Sequence, residues 1–542
     1  MALAILLFIG FALQTTSGSL LWKPDVVYHA KGYINLPYAD IVEPFEAWYD
    51  GKNMRSRQSY YDGMNNIFQR PDLKPYGFTY SVVPESTSKA MDATACFGEE
   101  GTKDEPVDSI QTILPDTTNY KMSGPVSYKE QNCTLYYLEE TRGYKNNTYE
   151  LIVATMPEGS FPKYLHFVGY DWILGSHYDE YEFIYDEFEL GIEIPYETFD
   201  VPKGIKCQEF LGSQHRLSSA TNPIGELLHD SGEVDNEFEK FKTMHDKSYH
   251  DPKEHEARKA NFRHNFRFIH STNRQGRHFK LAVNHLAATT QDERRRMRGY
   301  HYTGPNNGLP FTLTEEMVQA LPASLDWRLI GAVTPVKDQG ICGSCWSFGT
   351  AETIEGALFL HKKRTMMVEL SQQNLMDCTW QYGNNGCDGG EEWRAYEWIM
   401  ANGGIATADS YGPYLMADGR CHYKNATVGT NIASYVNVTS GNATALMAAL
   451  FHYGPVAVNI DASHLTFSFY SSGVYYDPKC MNGIDQLDHS VLAVGYGTLY
   501  GEGYWLVKNS WSNHWGDAGY VLMSMKDNNC GVATNPTYVN IE

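Results

Sequence analysis

The sequence predicts an α+β protein in which an all-β region, a helical region and a mixed helix-and-sheet region follow one another. Three observations support this division. Residues 19–225 alternate strand-like aromatic runs with turn signals. Apolar side chains then recur at helical spacing, as at Phe262, Phe266 and Ile269. From residue 321 onwards a helical run precedes several strand-like runs, which is typical of two packed parts within one unit.

The chain is long and acidic. Its 542 residues are enough for roughly three domains of ordinary size. With 65 acidic and 43 basic residues the formal net charge is −22, which disfavours nucleic acid as a partner because a phosphate backbone would be repelled. The 38 Tyr and 24 Phe favour extensive sheet, since aromatic side chains fit a half-buried pleated surface.

Residues 1–18 have the pattern of a secretory signal peptide. An apolar run from Ala2 to Leu13 precedes small residues suited to cleavage, and it is too short to cross a bilayer. A buried N-terminal helix is the alternative interpretation. No later segment is apolar enough for a membrane span. We therefore expect a protein of the secretory pathway that is extracellular or lysosomal.

In that compartment most of the ten cysteines would form disulfides. Five Asn-x-Ser/Thr sequons become candidate glycosylation sites. They are Asn132, Asn146, Asn425, Asn437 and Asn442.

Residues 19–225 are predicted as a β-rich module. Strand-like runs such as Tyr149–Thr155 and Tyr181–Ile194 are separated by turn signals. The module shows no catalytic constellation, and the sequence leaves the pairing of its three cysteines open. A polar, turn-rich stretch at 211–235 is interpreted as a linker.

After this linker the composition shifts to that of a helical region. Charged residues alternate with Phe side chains between Glu237 and Asn273. A charge run from Asp292 to Arg298 follows. We interpret this run as a solvated helix face, with a processing site as the alternative.

The strongest chemical signal is the segment Gln339–Phe348, which contains Cys342-Gly-Ser-Cys345-Trp. A Cys-x-x-Cys pair could be a redox motif, but no βαβ pattern surrounds it, and the segment fits a known signature of nucleophilic cysteines. His489 follows Cys345 by 144 residues, and Asn509 lies 20 residues further on. Several such elements in this order indicate a catalytic site rather than unrelated structural residues.

Residues 321–542 resemble the papain and cathepsin L family of cysteine proteases over their whole length. The resemblance implies a helical lobe and a β-barrel lobe with the active site between them. It implies that Cys345 is the nucleophile, His489 its base and Asn509 the residue that orients the imidazole. Gln339 would contribute to the oxyanion hole. Protein and peptide substrates would be hydrolysed through a thioester, with no metal ion or cofactor.

The same resemblance implies the disulfides Cys342–Cys387, Cys378–Cys421 and Cys480–Cys530, which leave Cys345 unpaired. It also implies a substrate cleft lined by Gly343, Gly389, Gly390, Glu392, Asn459, Leu487, Asp488, Trp511 and Ala533.

Glu392 and Asn459 depart from the apolar pattern of the pocket for the second residue before the scissile bond. If Glu392 lines this pocket, we expect the pocket to accept Arg or Lys besides apolar residues. The alternative is that Glu392 points to solvent at the rim.

A second resemblance lies upstream, where six residues at fixed spacing match the inhibitory propeptides of cathepsin L-like enzymes. They are Glu254, Arg258, Phe262, Asn265, Ile269 and Asn273. The match implies that residues 226–320 form a helical inhibitor whose following strand runs backwards through the cleft. It implies a zymogen that is cleaved near Leu321. The adjoining family motif is poorly kept at Ala282–Ala288, because Ala288 replaces its acidic residue.

The whole layout is similar to that of insect two-chain haemocyte cysteine proteinases. The runs Tyr28–Gly32, Leu36–Tyr38 and Phe45–Tyr49 carry this resemblance. It implies a two-chain form in which the N-terminal module remains after a cut in 211–235. The leading hypothesis is therefore a secreted or endolysosomal cysteine endopeptidase. The alternatives are a protease-fold binding protein, and a lipid- or glycan-binding function in residues 19–225.

Overall fold

The computed structural model describes residues 20–85, 90, 93–209, 222–229, 232–363 and 365–542. The predicted signal peptide and residues 211–221 of the predicted linker lie outside the described residues. The chain divides into two compact units. The first comprises the residues up to 84, 94–242 and 246–275, and the second comprises 85–93, 243–245 and 276–542. No helix in the described part of the chain is long and apolar enough to cross a membrane.

The first unit is built on one twelve-stranded sheet. Its strands are β1 (Val27–Leu36), β2 (Ile41–Asp50), β3 (Arg55–Tyr60), β4 (Asn65–Arg70), β5 (Phe78–Glu85), β6 (Ala93–Glu100), β7 (Lys121–Tyr128), β8 (Gln131–Arg142), β9 (Lys145–Met156), β10 (Gly159–Asp171), β11 (Ser176–Leu190) and β12 (Cys207–Glu209). The spatial order is β12-β6-β5-β4-β3-β2-β1-β11-β10-β9-β8-β7. The predicted all-β character of this region is confirmed.

Most neighbours in this sheet are antiparallel hairpin partners, and β1 and β11 join the two halves with Tyr28 opposite Leu190. Strand β12 pairs parallel with β6 and places Cys207 opposite Cys96. These two cysteines form a disulfide, and Cys133 is buried and free.

Aromatic and aliphatic side chains from both halves of the sheet form the core of the first unit. Helix α1 (Pro223–His229) adds Ile224 and Leu227 to that core. The linker interpretation is therefore wrong for residues 222–229. Asn222 and Pro223 look like breakers in the sequence, but Pro is favoured at the first position of a helix. The Asn222 side chain accepts the Tyr60 hydroxyl at 2.6 Å, which fixes the start of the helix.

Two further helices follow, α2 (Glu233–Met244) and α3 (Pro252–Arg274). Asp251 caps α3 by accepting the Glu254 amide at 2.9 Å. The predicted helical spacing of Phe262, Phe266 and Ile269 is confirmed, because all three are buried. The Phe262 ring packs on Phe238 of α2 with ring centroids 5.4 Å apart.

The second unit combines a ten-stranded sheet with helices. Its strands are β13 (Phe279–Leu281), β14 (Leu309–Pro310), β15 (Leu325–Asp326), β16 (Ile405–Ala406), β17 (Val428–Thr430), β18 (Ile432–Asn437), β19 (Val456–Ile460), β20 (Tyr470–Tyr475), β21 (His489–Leu499), β22 (Glu502–Lys508), β23 (Tyr520–Ser524) and β24 (Thr537–Ile541). The main path is β13-β20-β23-β22-β21-β19-β24-β18-β14, with β15 on β21 and a separate β16–β17 pair.

The helices of this unit are α4 (Gln291–Arg296), α5 (Glu315–Gln319), α6 (Cys345–His361), α7 (Gln372–Cys378), α8 (Glu392–Asn402), α9 (Ala408–Tyr411), α10 (Ala443–Tyr453) and α11 (Leu465–Ser468). The helical run predicted after residue 321 corresponds to α6, and the strand-like runs predicted after it correspond to β19, β21, β22 and β23. Helices before strands in this unit agree with the predicted α+β class.

Helix α6 is buried nearly all round rather than on one face. Glu352 and Glu355 are buried together with the apolar residues of this helix. Lys508 Nζ donates to Glu352 at 2.7 Å, and Thr334 donates its hydroxyl to Glu355 at 2.7 Å. Because a buried charge is costly without a partner, these contacts make a central position possible for the helix.

The predicted charge run from Asp292 to Arg298 is only partly a solvated face. Arg294 is buried and donates to the Thr289 carbonyl at 2.6 Å, and Arg298 pairs with Asp488 at 2.8 Å. Arg295 is exposed. The disulfides of this unit are Cys342–Cys387, Cys378–Cys421 and Cys480–Cys530, and Cys345 is free.

Candidate active site

Cys345 is the first residue of helix α6 and is fully buried. Its Sγ atom accepts the Gly299 amide N–H at 3.3 Å. The N-terminus of a helix favours a thiolate, but burial here dominates and raises the pKa of the Cys345 thiol to about 12. Burial therefore favours the neutral thiol over the thiolate while the pro-segment covers the sulfur.

His489 begins strand β21, and Asn509 follows directly after the neighbouring strand β22. The antiparallel pairing of the two strands brings His489 Nε2 within 2.8 Å of Asn509 Oδ1. The Trp511 ring lies 4.8 Å from the imidazole and covers this bond. Nδ1 of His489 has no hydrogen-bond partner within the described residues, so it is the nitrogen that can take a proton. Burial lowers the pKa of His489 to about 4.

Gln339 is buried beside the start of α6. Its Nε2 atom donates to the Cys342 carbonyl at 2.6 Å and to the Met297 carbonyl at 2.7 Å. Its Oε1 atom accepts the Ser510 hydroxyl at 2.6 Å, which fixes the orientation of the amide. The side chain therefore presents an N–H donor to a carbonyl of the segment that precedes the protease region.

Residues 297–300, here called the pro-segment, lie directly on the site. The Gly390 amide donates to the Gly299 carbonyl at 2.8 Å, and the Tyr300 amide donates to the Asp488 carbonyl at 3.0 Å. A Cβ atom on Gly299 would stand 1.8 Å from the Gly343 carbonyl oxygen, so only glycine permits this approach. The structure thus brings the predicted residues Gly343, Gly390 and Asp488 against one backbone.

The Tyr300 side chain fills a pocket next to Cys345. Tyr300 packs with Leu487 and Cys345 in one buried cluster. Asn535 Nδ2 donates to the Tyr300 hydroxyl at 2.9 Å and to Asn459 Oδ1 at 2.9 Å. The pocket therefore has an apolar wall and a polar end.

Glu392 lies behind that polar end and is buried, so the alternative of a solvent-exposed rim position is wrong. Its Oε1 atom accepts from Asn459 Nδ2 at 2.8 Å and from the Ser490 hydroxyl. Burial raises the pKa of Glu392 to about 7. A chain of contacts through Asn535 and Asn459 joins the Tyr300 hydroxyl to this carboxyl group.

Ala533 stands apart from these contacts, whereas Gly389 lies against the pro-segment, because a Cβ atom on it would stand 2.7 Å from the Gly299 carbonyl oxygen. Ala533 is buried, and its amide donates to Asn528 at 2.9 Å. Gly389 adopts a positive φ of 110° and supports the turn before Gly390. The residue that sequence reasoning missed is Asn535, two positions after Ala533. Its only sequence signal is a polar residue close to a predicted pocket position.

The pro-segment contacts were also missed at the level of individual residues. Met297 lies within the charge run and Gly299 and Tyr300 follow it, and none of the three belongs to a motif of its own. Their role becomes visible only because Gly299 meets Cys345 in space.

The site agrees with what the chain is similar to. Residues 321–540 match the family described as papain family cysteine protease, and residues 238–293 match the cathepsin propeptide inhibitor domain. The chain is 44% identical over 323 residues to a cathepsin L-like peptidase of Aedes aegypti, which covers 56% of this chain and 93% of the relative. It is 42% identical over 309 residues to digestive cysteine proteinase 2 of Homarus americanus, with 56% and 93% covered.

Solved structures lead to the same result. Digestive procathepsin L2 from the larval midgut of Tenebrio molitor aligns with a TM-score of 0.53 at 35% identity, covering 57% of this chain and 99% of that structure. Digestive procathepsin L 3 from the same tissue aligns with a TM-score of 0.51, also at 35% identity and with the same coverage. The chain belongs to the papain family of cysteine proteases, and within it to the cathepsin L-like enzymes that carry an inhibitory propeptide.

Proposed function

We propose that the protein is a secreted or endolysosomal endopeptidase that hydrolyses peptide bonds through Cys345 and His489. The observation that carries the proposal is that one backbone segment contacts both Cys345 Sγ and Gln339 Nε2. Cys345 at the N-terminus of α6 and the amide donor of Gln339 contact the same backbone segment. The imidazole of His489, at the start of β21, is oriented by Asn509. These are the parts that acyl transfer requires.

In the open enzyme the thiol proton of Cys345 passes to Nδ1 of His489. The thiolate attacks the carbonyl carbon of the scissile bond, and a C–S bond forms. Gln339 Nε2 and the Cys345 backbone N–H stabilise the oxyanion. His489 then protonates the leaving nitrogen as the C–N bond breaks. Water, deprotonated by His489, hydrolyses the thioester and regenerates the thiol.

Asn509 and Trp511 position the imidazole. The bond from His489 Nε2 to Asn509 Oδ1 requires a proton on Nε2, which leaves Nδ1 as the acceptor for the thiol proton. Trp511 is buried over this bond and keeps water from competing for it.

The closed state is inactive for a geometric reason. The pro-segment places an N–H, not a carbonyl carbon, against Cys345 Sγ. The carbonyl that engages Gln339 belongs to Met297, two residues earlier. In the contacts described, therefore, no single carbonyl group of this segment meets both Cys345 Sγ and Gln339 Nε2. Burial of Cys345 and His489 further disfavours the thiolate–imidazolium pair that attack requires.

The contacts of the pro-segment also indicate how a substrate binds. We expect the amide of Gly390 and the carbonyl of Asp488 to bond a substrate backbone as they bond residues 299 and 300. The pocket that holds Tyr300 would take the second residue before the scissile bond. Its polar end at Asn535 favours tyrosine, and Glu392 behind it favours Arg or Lys besides apolar residues.

Processing and location follow from the sequence rather than from the geometry. Cleavage near Leu321 would remove the pro-segment, and the signal-like residues 1–18 would direct the chain into the secretory pathway. Of the five sequons, Asn132 and Asn425 are exposed and are the first candidates for glycans.

The nucleophile is tested by Cys345→Ser, with Cys133→Ser as the matched control at the other free cysteine. After cleavage near Leu321, kcat/KM on a fluorogenic peptide should fall by more than ~10³-fold in Cys345→Ser. The control should keep the parental value. A covalent epoxide inhibitor of thiol proteases should label the control enzyme only. Retention of a tenth of the activity by Cys345→Ser would assign the nucleophile elsewhere.

A further inference from the structure

Helix α3 has two buried faces, although its sequence motif accounts for only one. The first face carries Phe262 and packs against α2. The second face carries Arg263, Arg267, Ser271 and Arg274, which are spaced by four, four and three residues and so lie on one stripe. This second face contacts the β-rich part of the first unit.

Arg267 is the centre of the first polar cluster on that face. Its guanidinium donates to both carboxylate oxygens of Glu226 on α1, at 2.9 and 2.8 Å, and to Asp179 of β11 at 2.8 Å. The three side chains are between 5% and 12% exposed. Although burial opposes ionisation of Asp179, Arg267 and Arg263 hold its pKa below the ordinary value. All three nitrogen atoms of the Arg267 guanidinium therefore donate to carboxylate oxygens.

Arg274 forms a second cluster about two turns further along α3. It donates to Glu43 of β2 at 2.8 Å, and the Glu43 side chain is fully buried. One turn earlier the Ser271 and Tyr61 hydroxyls are 2.6 Å apart. Phe268, between the two clusters, packs on the aromatic core of the sheet.

These contacts have the character of an interior rather than of a transient surface. Buried charge pairs are tolerated only while both partners stay in place, because separation leaves a charge without its partner. Helix α1 lies in the same core through Ile224 and Leu227 and also supplies Glu226. The sheet, α1 and α3 are thus joined by apolar packing and by two ion clusters.

We propose that the N-terminal β module is the anchor of the inhibitory helix, so that the sheet, α1 and α3 persist as one folded body after processing. A cut within 276–320 would then produce an N-terminal chain that carries α3 with it. A cut between residues 209 and 222 would nick this body without separating α3 from the sheet. In this proposal the function of the N-terminal β module is to bind the inhibitory helix α3.

The anchor is tested in the full-length Cys345→Ser chain, which cannot process itself. The double variant Glu43→Gln, Glu226→Gln removes one carboxylate from each cluster and leaves the α3 sequence unchanged. Glu237→Gln is the matched control, because Glu237 forms an exposed pair with Lys240 on α2. The readout is amide hydrogen exchange of residues 252–274, measured by mass spectrometry.

We expect exchange of these amides to rise at least tenfold in the double variant, with residues 345–361 unchanged and the control like the parent. Exchange within twofold of the parent would overturn the proposal. Should the double variant not fold, Tyr61→Phe replaces it, since it removes only the hydroxyl that meets Ser271. A rise of at least twofold at residues 268–274 then supports the anchor, and an unchanged rate overturns it.

The fate of the helix gives a second measurement, on the wild-type protein. After activation, an immobilised epoxide inhibitor of thiol proteases captures the enzyme through Cys345, and the unbound material is identified by mass spectrometry. Recovery of residues 252–274 together with residues 20–209 supports the anchor. Recovery of residues 20–209 without α3 overturns it.

Discussion

The two longest helices in the described part of the chain, α3 and α6, bury charged residues in different ways. Helix α6 is apolar over most of its surface, and its buried Glu352 is paired within its own unit by Lys508. Helix α3 is rich in charged residues and yet buries two faces, one through aromatic rings and one through Arg263 and Arg274. The difference shows that a charged helical stripe can be an interior contact and not a solvated face.

The two helices also use their ends in complementary ways. Cys345 stands at the N-terminus of α6, where the helix dipole favours a negative sulfur. Arg274 closes the last turn of α3, where the dipole favours a positive charge. In the proposals above, the first end supplies the nucleophile and the second contributes to the attachment of α3 to the sheet.

The largest expected effect is the loss of stability when the cation of a buried ion pair is removed, which we test in each unit separately. Lys508→Met leaves Glu352 buried without its ammonium partner, and Arg267→Met does the same to Asp179 and Glu226. Each should cost about 3–5 kcal/mol of stability. Amide exchange of the Cys345→Ser precursor should rise in α6 for the first variant and in α3 for the second. Identical exchange patterns in the two variants would contradict the comparison.

The next effect concerns catalysis beside α6. Gln339→Ala removes the side-chain donor of the proposed oxyanion hole, and kcat/KM of the processed enzyme should fall by ~10²–10³-fold. Gln131→Ala, on β8 of the first unit, is the control and should leave the rate unchanged. A loss confined to KM would mean that Gln339 binds substrate without stabilising the transition state.

An effect of intermediate size is the loss of stability of helix α3 at acidic pH. Burial lowers the pKa of His264 to about 4 from 6.5, and the nearby charges of Asp179, Arg267 and Arg263 also act on it. The pKa of His264 is lower in the folded protein than in the unfolded chain. Its contribution to the free energy of unfolding is therefore complete above pH 6.5 and is lost as the pH falls towards 4. The shift corresponds to about 3 kcal/mol.

This prediction is measured by exchange of the α3 amides between pH 7 and pH 5, corrected for intrinsic rates. His264→Gln keeps a donor for the Tyr178 carbonyl, which lies 3.1 Å from His264 Nε2. The variant should show a flatter pH dependence than the parent. If exchange depended on pH equally in the variant and the parent, His264 would not be the group that destabilises α3 at acidic pH.

The smallest effect concerns specificity at the pocket near α6. Glu392→Met should lower the preference for Arg over Leu, at the second position before the scissile bond, by roughly fivefold, or about 1 kcal/mol. In the parent this preference should rise between pH 6 and 8, because Glu392 ionises near pH 7. Matched peptides with Arg, Leu and Phe measure both effects. An unchanged Arg-to-Leu ratio would show that the carboxyl group does not reach the substrate.

Much of this protein could be predicted from sequence alone. Short-range patterns define α6, because an apolar run follows Cys345, and the strands around His489 and Asn509, because β-branched and aromatic residues cluster there. The spacing of Glu254 to Asn273 identifies the propeptide helix and its first face. Each of these features lies within one local segment, so local periodicity and motif spacing were sufficient.

Only the tertiary structure decided which distant residues meet. Gly299 reaches Cys345, and Asn535 reaches Tyr300, through contacts between segments that no shared motif connects. The partners of Arg267 lie 41 and 88 residues away, on α1 and β11. A charged stripe looks the same in sequence whether it faces water or paired carboxylates. Its burial is decided by what the rest of the chain places against it, because charges enter an interior only where partners compensate them.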